Sequence, residues 1–208
     1  MGSDPSGVAY DSAKGEVFVT NAQFGTVSII SDATNTIIAT VSVGSNPEGV
    51  AYDPGKGEVF VANEGSGTVS VISDATNTVV ATVNVGSGPV GVAYNSAKGE
   101  IFATNYGSST VSVISDATNV LLATVTVGSG PYGVAYDSGR GEVFVTDLTS
   151  NEISVISNSV SSSTTTTTSV TTSITTSITT VTSSTTTSLT TVTSTVSTTT
   201  HSCVKNCD

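Results

Sequence analysis

One 15-residue segment occurs four times in this chain at a constant spacing of 42 residues. The copies are GVAYDSAKGEVFVTN at Gly7, GVAYDPGKGEVFVAN at Gly49, GVAYNSAKGEIFATN at Gly91 and GVAYDSGRGEVFVTD at Gly133. A fixed period near forty residues, with several short strands in each unit, is the signature of a β-propeller. The sequence therefore predicts an all-β fold, a small β-propeller of four blades with four antiparallel strands per blade.

Each repeat contains four segments of strand composition separated by turn residues. In the second repeat these segments are 49–53, 58–63, 68–73 and 78–85, rich in Val, Ile, Thr, Phe and Tyr. Some carry apolar side chains on both faces, as at Val59, Phe60 and Val61, so they need a neighbouring layer on each side. We therefore expect the four blades to stack into a closed ring.

The fourth repeat is incomplete, because its sequence stops resembling the others after the third strand at 152–157. An uncovered third strand would expose unpaired backbone groups, which native proteins usually protect. We expect an outer strand against residues 153–156, supplied by segment 163–171 of the same chain. The alternative is a Thr/Val segment from a neighbouring molecule, which would add a strand in trans.

The end of the second strand carries a recurring motif: FVTN at 18–21, FVAN at 60–63, FATN at 102–105 and FVTD at 144–147. With the continuation TVSVISDATNTVVATVNVGSGPVGVAY from Thr68, this pattern resembles the YVTN family of β-propeller repeats found in archaeal surface-layer and related exported proteins. The resemblance covers about residues 2–157. It implies a propeller at the cell surface, although propellers of that family commonly have seven blades.

The composition changes abruptly near residue 161. Between 161 and 200, 33 of 40 residues are Ser or Thr and seven are Val, Ile or Leu, too few apolar groups to offset the cost of ordering the backbone. We interpret residues 1–160 as the propeller, 161–200 as a Ser/Thr-rich stalk and 201–208 as a Cys-containing C-terminal segment. A strand packed on a partner and a helical coil remain alternatives for the stalk.

Stalks of this composition are typical substrates for O-glycosylation. The chain has no Asn-x-Ser/Thr sequon, so any glycan would be O-linked. Representative candidate sites are Thr164, Thr165, Thr166, Thr171, Thr175, Thr179, Thr185 and Thr190.

Charge and cysteine usage exclude several classes of partner. Five Lys/Arg against sixteen Asp/Glu give a net charge of −11, which makes nucleic-acid binding improbable. No apolar run is long enough to predict a transmembrane segment. Cys203 and Cys207 fit a small disulfide loop or a link between chains, with free thiols or a metal site as alternatives.

The residues offer no catalytic constellation. The only histidine, His201, lies in the tail, so we expect no enzyme. We expect no cofactor, although acidic residues in register leave calcium as an alternative to turn chemistry; these are Asp11, Asp53, Asp137, Asp32, Asp74 and Asp116. The inner-strand tyrosines are expected to fill space between blades, each hydroxyl meeting a backbone group; they are Tyr10, Tyr52, Tyr94 and Tyr136.

The repeats differ from one another mainly at the loop after the second strand and at the residue that enters each blade. Both positions fall on the same rim of a propeller, which predicts a contact rim formed by Phe24, Glu64, Tyr106, Tyr132 and Leu148. We expect a structural or adhesive extracellular protein, a subunit of a surface layer or filament that associates with itself or with other surface proteins. The alternative is a propeller that binds a glycan or a protein through this rim.

Overall fold

The computed structural model describes residues 2–157 and, for the backbone alone, residues 197–202. These residues form four antiparallel sheets of four strands, and each sheet is one blade. The predicted all-β propeller of four blades is confirmed.

Within each blade the strands are hydrogen-bonded in sequence order, from the inner strand to the outer strand. Blade 1 contains β1 (Pro5–Asp11), β2 (Glu16–Asn21), β3 (Thr26–Ser31) and β4 (Thr36–Ser42), with a 3-10 turn at Ala22–Phe24. Blade 2 contains β5 (Pro47–Asp53), β6 (Glu58–Asn63), β7 (Thr68–Ser73) and β8 (Thr78–Asn84). Blade 3 contains β9 (Pro89–Asn95), β10 (Glu100–Asn105), β11 (Thr110–Ser115) and β12 (Leu121–Thr126). Blade 4 contains β13 (Pro131–Asp137), β14 (Glu142–Asp147), β15 (Glu152–Ser157) and β16 (Ser197–Ser202).

The hairpin between the first and second strands of each blade is closed by an acidic or amide side chain and a glycine. In blade 1, Asp11 Oδ1 accepts hydrogen bonds from the Ala13 amide at 2.8 Å and the Lys14 amide at 3.2 Å. Gly15 then adopts φ 68°, a conformation that favours glycine. The Lys-Gly and Arg-Gly pairs of the other blades sit in the same turn, as their glycine φ values of 65° to 69° show.

The Asn that ends the second strand ties it to the third. Asn21 is fully buried and its Nδ2 donates to Ser28 Oγ at 3.0 Å and Thr26 Oγ1 at 3.1 Å. Asn63 and Asn105 make the same bonds in blades 2 and 3. In blade 4 the position is Asp147, and its Oδ2 accepts a bond of 2.6 Å from the Ser154 hydroxyl. The Asn or Asp that ends the second strand of every repeat is therefore a structural link within the blade.

Three apolar cores lie between successive blades. At each junction the earlier blade presents a Phe with three β-branched residues, and the facing blade presents three aliphatic side chains. The core between blades 1 and 2 contains Phe18, Val27, Ile29, Val41, Val59, Val61 and Ile72. Equivalent residues form the cores between blades 2 and 3 and between blades 3 and 4.

The inner strands approach each other through glycines. A Cβ atom on Gly7 would lie 2.3 Å from the Glu48 carbonyl oxygen of blade 2, and one on Gly91 would lie 2.4 Å from the Tyr132 oxygen of blade 4. A threonine hydroxyl bridges the same gap, since Thr20 Oγ1 donates to the Glu48 oxygen at 2.7 Å. Only glycine allows backbones to pass this closely.

The four blades do not close into a ring, so that expectation is wrong. Strand β1 packs on β5, β5 on β9 and β9 on β13, but β13 and β1 make no comparable contact within the described residues. Val8 and Tyr10 of blade 1 are 67% and 53% exposed, although their equivalents in blades 2, 3 and 4 are mostly half-buried. The physical reason is that apolar cores join blades 1 and 2, blades 2 and 3, and blades 3 and 4, whereas no such core joins blades 4 and 1 within the described residues.

The outer strand expected on blade 4 is present and comes from the same chain. Strand β16 pairs with β15 in antiparallel register, from Glu152 opposite Ser202 to Ser157 opposite Ser197. The expected donor, segment 163–171, is wrong because β16 occupies every position of β15; that segment itself lies outside the described residues. Backbone pairing, which any residue except proline can provide, explains how a Ser/Thr segment completes the blade.

Candidate functional site

The variable rim lies at the end of the propeller where the inner strands begin. In blade 2, Pro47 at the start of β5 is opposite Asn63 at the end of β6, so the blade entry and the following loop are adjacent. The same register recurs in blades 1 and 4. The two variable sets of the repeats therefore share one edge of the molecule.

The structure places four apolar or aromatic side chains of this rim in solvent. Phe24 and Leu148 are 63% and 60% exposed, and Tyr106 and Tyr132 are 41% and 49% exposed. Tyr106 of blade 3 and Tyr132 of blade 4 contact each other edge to face, with ring centroids 6.5 Å apart. Such aromatic pairs orient both rings, so this part of the rim is a preformed surface.

Glu64, the fifth predicted rim residue, differs from the other four. It is half-buried, and its Oε2 accepts a hydrogen bond of 2.9 Å from Asn46 Nδ2. The carboxylate therefore holds the blade-entry turn and is not a free contact group.

A cavity of about 370 Å³ is lined by the inner strands of all four blades. Its wall is mostly backbone and valine, and its mouth carries Ser6 and Glu48, whose side chains hydrogen-bond each other. Tyr132 lines the cavity and also belongs to the exposed aromatic pair. The aromatic ring of Tyr132 therefore connects the rim with the cavity, an arrangement that sequence analysis did not predict.

Three of the four inner-strand tyrosines, Tyr10, Tyr52 and Tyr94, bond to carboxylates, so the expected backbone partners are wrong for these three. Tyr10 donates to Asp32 at 2.9 Å and Tyr52 donates to Asp74 at 3.2 Å. Burial raises the pKa of Tyr52, and the nearby Asp11 and Asp74 carboxylates raise it further. These hydroxyls lie at the end of the blade opposite the variable rim, where they connect the first strand to the turn between the third and fourth strands.

Three of the six acidic residues in register accept hydrogen bonds from turn amides. Asp53 Oδ1 accepts the Gly55 amide at 2.7 Å and Asp137 Oδ1 accepts the Gly139 amide at 2.8 Å, as Asp11 does in blade 1. Asp32, Asp74 and Asp116 accept tyrosine hydroxyls instead. Within residues 2–157, no three acidic, His or Cys side chains are grouped as metal ligands would be.

Two candidate features lie outside the described residues, the Cys203–Cys207 pair and the Thr sites from Thr164 to Thr190. Among the described residues, no helix has the length and apolar character that crossing a membrane requires.

The surfaces that sequence analysis missed are the two free blade faces. Blade 4 ends the row with Ile153 43% exposed and Phe144 half-buried, whereas the equivalent Val69 and Phe60 of blade 2 are fully buried. Blade 1 begins the row with Val8 and Tyr10 in solvent. The sequence has only four repeats, but the expectation of a closed ring implied that every blade face would be covered.

Solved structures of propeller-like proteins resemble this chain. Hydrazine synthase of Kuenenia stuttgartiensis matches with a TM-score of 0.63 at 20% identity, over 78% of this chain and 45% of that one. A functionally unknown protein from Desulfotomaculum acetoxidans matches with a TM-score of 0.65 at 17% identity, over 76% of this chain and 53% of that one. A streptogramin B lyase matches with a TM-score of 0.66 at 17% identity, over 76% and 52%.

This chain spans about half the length of the solved structures it matches. At these identities the similarity shows the fold alone. A comparison with curated protein sequences found no match. The model of one family matches nearly the whole chain, from residue 3 to residue 200, and the chain therefore belongs to the YNCE-like beta-propeller family.

Proposed function

We propose that this protein is a non-enzymatic extracellular structural or adhesive protein of archaeal surface-layer type, whose variable rim makes the adhesive contacts. The observation that carries this proposal is the exposed aromatic and apolar rim formed by Phe24, Tyr106, Tyr132 and Leu148. Exposed apolar groups gathered on one edge of a protein mark interaction sites.

The rim also has the rigidity that a repeated contact needs. Tyr106 and Tyr132 are fixed by their edge-to-face contact, and their loops are held by backbone bonds such as Tyr106 N to Gly88 O at 2.8 Å. Aromatic side chains on a rigid support lose little conformational entropy when they bind. Because each chain carries a net charge of −11, adhesive contacts made through the rims of neighbouring copies would depend on these apolar groups.

Surface assembly is tested by substituting the rim. We expect the Tyr132→Ser, Leu148→Ser double variant to remain soluble under conditions where the wild-type protein forms sedimenting assemblies or attaches to cells. Val80→Ser is the matched control, because Val80 is 51% exposed on an outer strand and away from the rim. Assembly or attachment that survives the rim substitutions would contradict the proposal.

The Ser/Thr-rich segment extends the proposal to O-glycosylation, for which Thr164 and its neighbours are candidate sites. The sequence supports this through 33 hydroxyl side chains in forty uncharged residues. The intact mass of protein from its native source is then expected to exceed 20.7 kDa. A native mass equal to that of the bare polypeptide would contradict this part of the proposal.

A second candidate function is the binding of a glycan or a protein segment. The observation in its favour is Tyr132, which joins the exposed aromatic pair to the axial cavity of about 370 Å³. A cavity of this size suits a small ligand, and aromatic faces stack on sugars. Binding on a glycan array that Tyr132→Ala abolishes and Val80→Ala preserves would favour this function over the adhesive one.

A further inference from the structure

We propose that two copies of this chain close an eight-bladed ring, in which blade 1 of each copy packs on blade 4 of the other. This goes beyond the proposed function and does not depend on it. The occupant of each free blade face is thus the other free face of a second copy.

The free faces repeat the chemistry of faces that are buried inside the chain. At each internal junction the earlier blade contributes a Phe, as Phe18 does in blade 1, and the later blade contributes aliphatic residues such as Val59 and Ile72. Blade 4 carries Phe144, Ile153 and Val155 at the first set of positions, and blade 1 carries Val17, Val19 and Ile30 at the second. By their positions in the repeat, the free faces of blade 4 and blade 1 are therefore equivalent to the two faces that pack together at each internal junction.

The hydrogen bonds of the inner-strand backbone also differ between the internal junctions and the free face of blade 4. Inside the chain, Thr104 Oγ1 accepts the Gly91 amide at 2.8 Å and donates to the Tyr132 oxygen of the next blade, also at 2.8 Å. Thr146 Oγ1 likewise accepts the Gly133 amide at 2.8 Å, yet it has no bond to a further blade within the described residues.

Gly133 of blade 4 likewise has no backbone of a further blade beside it within the described residues. A Cβ atom added to Gly91 would meet a carbonyl of the next blade, but one on Gly133 would meet only Thr146. The residue that follows by the repeat is Ser6, so Thr146 would donate to the Ser6 oxygen of a second copy. Gly133 and Thr146 are thus in place for a backbone that the described residues of the chain do not supply.

The free faces of blades 4 and 1 also carry complementary charges. Across the junction of blades 1 and 2, Lys14 Nζ donates to the Asp74 backbone oxygen and lies 3.6 Å from its Oδ1. The equivalent cation on blade 4 is Arg140, whose side chain is 70% exposed and pairs with Glu142 of its own blade. Its repeat-matched acceptor is Asp32 on the free side of blade 1, so the outer contact also matches in sign.

The number of copies follows from the geometry of the faces. Each chain has one free face on blade 1 and one on blade 4. Two chains therefore make two identical junctions, related by a twofold axis, which cover both free faces of each chain. Eight blades lie within the four to eight that propellers typically contain. The pairing would also add the inner strands of a second copy beside the axial cavity that the four blades of one chain line.

Solution mass of the full, unglycosylated recombinant chain tests the proposal. We expect a species of twice the 20.7 kDa chain mass. Ile153→Glu should weaken it by about 100-fold or more in dissociation constant, because the equivalent Val69 is fully buried and the junction would bury an unpaired carboxylate. Val8→Glu should weaken it by a smaller factor, because the equivalent Val50 is half-buried at its junction. Val80→Glu is the matched control, because Val80 is 51% exposed on an outer strand of blade 2, away from both free faces, and it should leave the dimer intact. Circular dichroism verifies that each variant is folded.

Gly133→Ala separates the junction from general stability. We expect it to weaken the dimer by about tenfold or more, since a Cβ would oppose a backbone carbonyl of the second copy. Under dilute, monomeric conditions its unfolding midpoint should fall much less than that of Gly91→Ala, because within the described residues the added atom meets only the Thr146 side chain, with Oγ1 at 3.0 Å, and no backbone carbonyl.

Mixing two variants tests the direction of the junction. A Val8→Glu chain keeps an intact blade 4, and an Ile153→Glu chain keeps an intact blade 1, so the mixture can form one wild-type junction that neither variant forms alone. We expect heterodimers in the mixture by native mass spectrometry. A monomeric wild type, an open polymer, a dimer insensitive to both face variants, or a mixture without heterodimers would each overturn the proposal.

Discussion

Replacement of Gly91 by alanine tests the close approach of the inner strands, on which the geometry of the propeller depends. The new Cβ would lie 2.4 Å from the Tyr132 carbonyl oxygen and 3.0 Å from Thr104 Oγ1. Ordinary contacts of this kind begin near 3.4 Å, so the overlap with the carbonyl is close to 1 Å. The carbonyl cannot turn away freely, because Thr104 Oγ1 donates to it at 2.8 Å.

The magnitude follows from relieving that overlap. Blade 4 would have to move away from blade 3, and overpacking of this kind costs about 1–3 kcal/mol. Alanine returns about 0.4–1 kcal/mol by restricting the unfolded chain. The expected net loss is about 1–2 kcal/mol, or a fall of about 2–8 °C in the unfolding temperature for a domain of this size.

The assay is thermal and urea unfolding followed by circular dichroism. Gly55→Ala is the control, because the equivalent positions in blades 1 and 3 are Ala13 and Ala97, which shows that the turn accepts a methyl group. We expect that control to equal or exceed the wild type. A Gly91→Ala variant as stable as Gly55→Ala would refute the described approach of the two backbones.

Three further perturbations probe the blades. Asn63→Ala should destabilise the chain by about 1–3 kcal/mol in urea unfolding, since it removes the buried bonds to Thr68 and Ser70; a loss below about 0.5 kcal/mol would contradict that role. Phe60→Ala should cost about 3–5 kcal/mol because Phe60 is fully buried, and Phe144→Ala clearly less in the monomer because Phe144 is half-buried; equal losses would contradict the free face of blade 4. The raised pKa values of Tyr52 and Tyr94 mean that the folded chain keeps their protons, so the stability they contribute should fall as the pH rises above about 10. The Tyr52→Phe, Tyr94→Phe double variant should lose less stability than the wild type over that range, and equal slopes would contradict the assignment.

The sequence repeats predicted the structure of each blade well, because the repeat period and the strand composition depend on residues that are close together in sequence. The Asn-to-Ser link and the Asp turn arise within one repeat, so reading one unit describes all four. The tyrosine partners were missed because a strand position does not tell which turn will face it in space. Asp32 is far from Tyr10 in sequence but hydrogen-bonded to it in the blade.

Ring closure and the donor of the last strand were harder to predict, because both depend on distant segments. The angle between blades results from side chains such as Phe18 against Val61, and a sequence pattern states which residues meet without giving the angle. The choice of β16 over segment 163–171 is a competition among similar Ser/Thr segments, which carry little register information. Rim residues were located by comparing repeats, whereas the link from Tyr132 to the cavity required the fold.

The most direct test of the account is a crystal structure of the full chain, grown from the oligomer present in solution. We predict blade 1 of one copy against blade 4 of another, with Thr146 Oγ1 donating to the Ser6 oxygen of the second copy and Arg140 near Asp32. Strand β1 packed on β13 of the same chain, in a closed ring of four blades, would contradict the account, as would two free faces left in solvent.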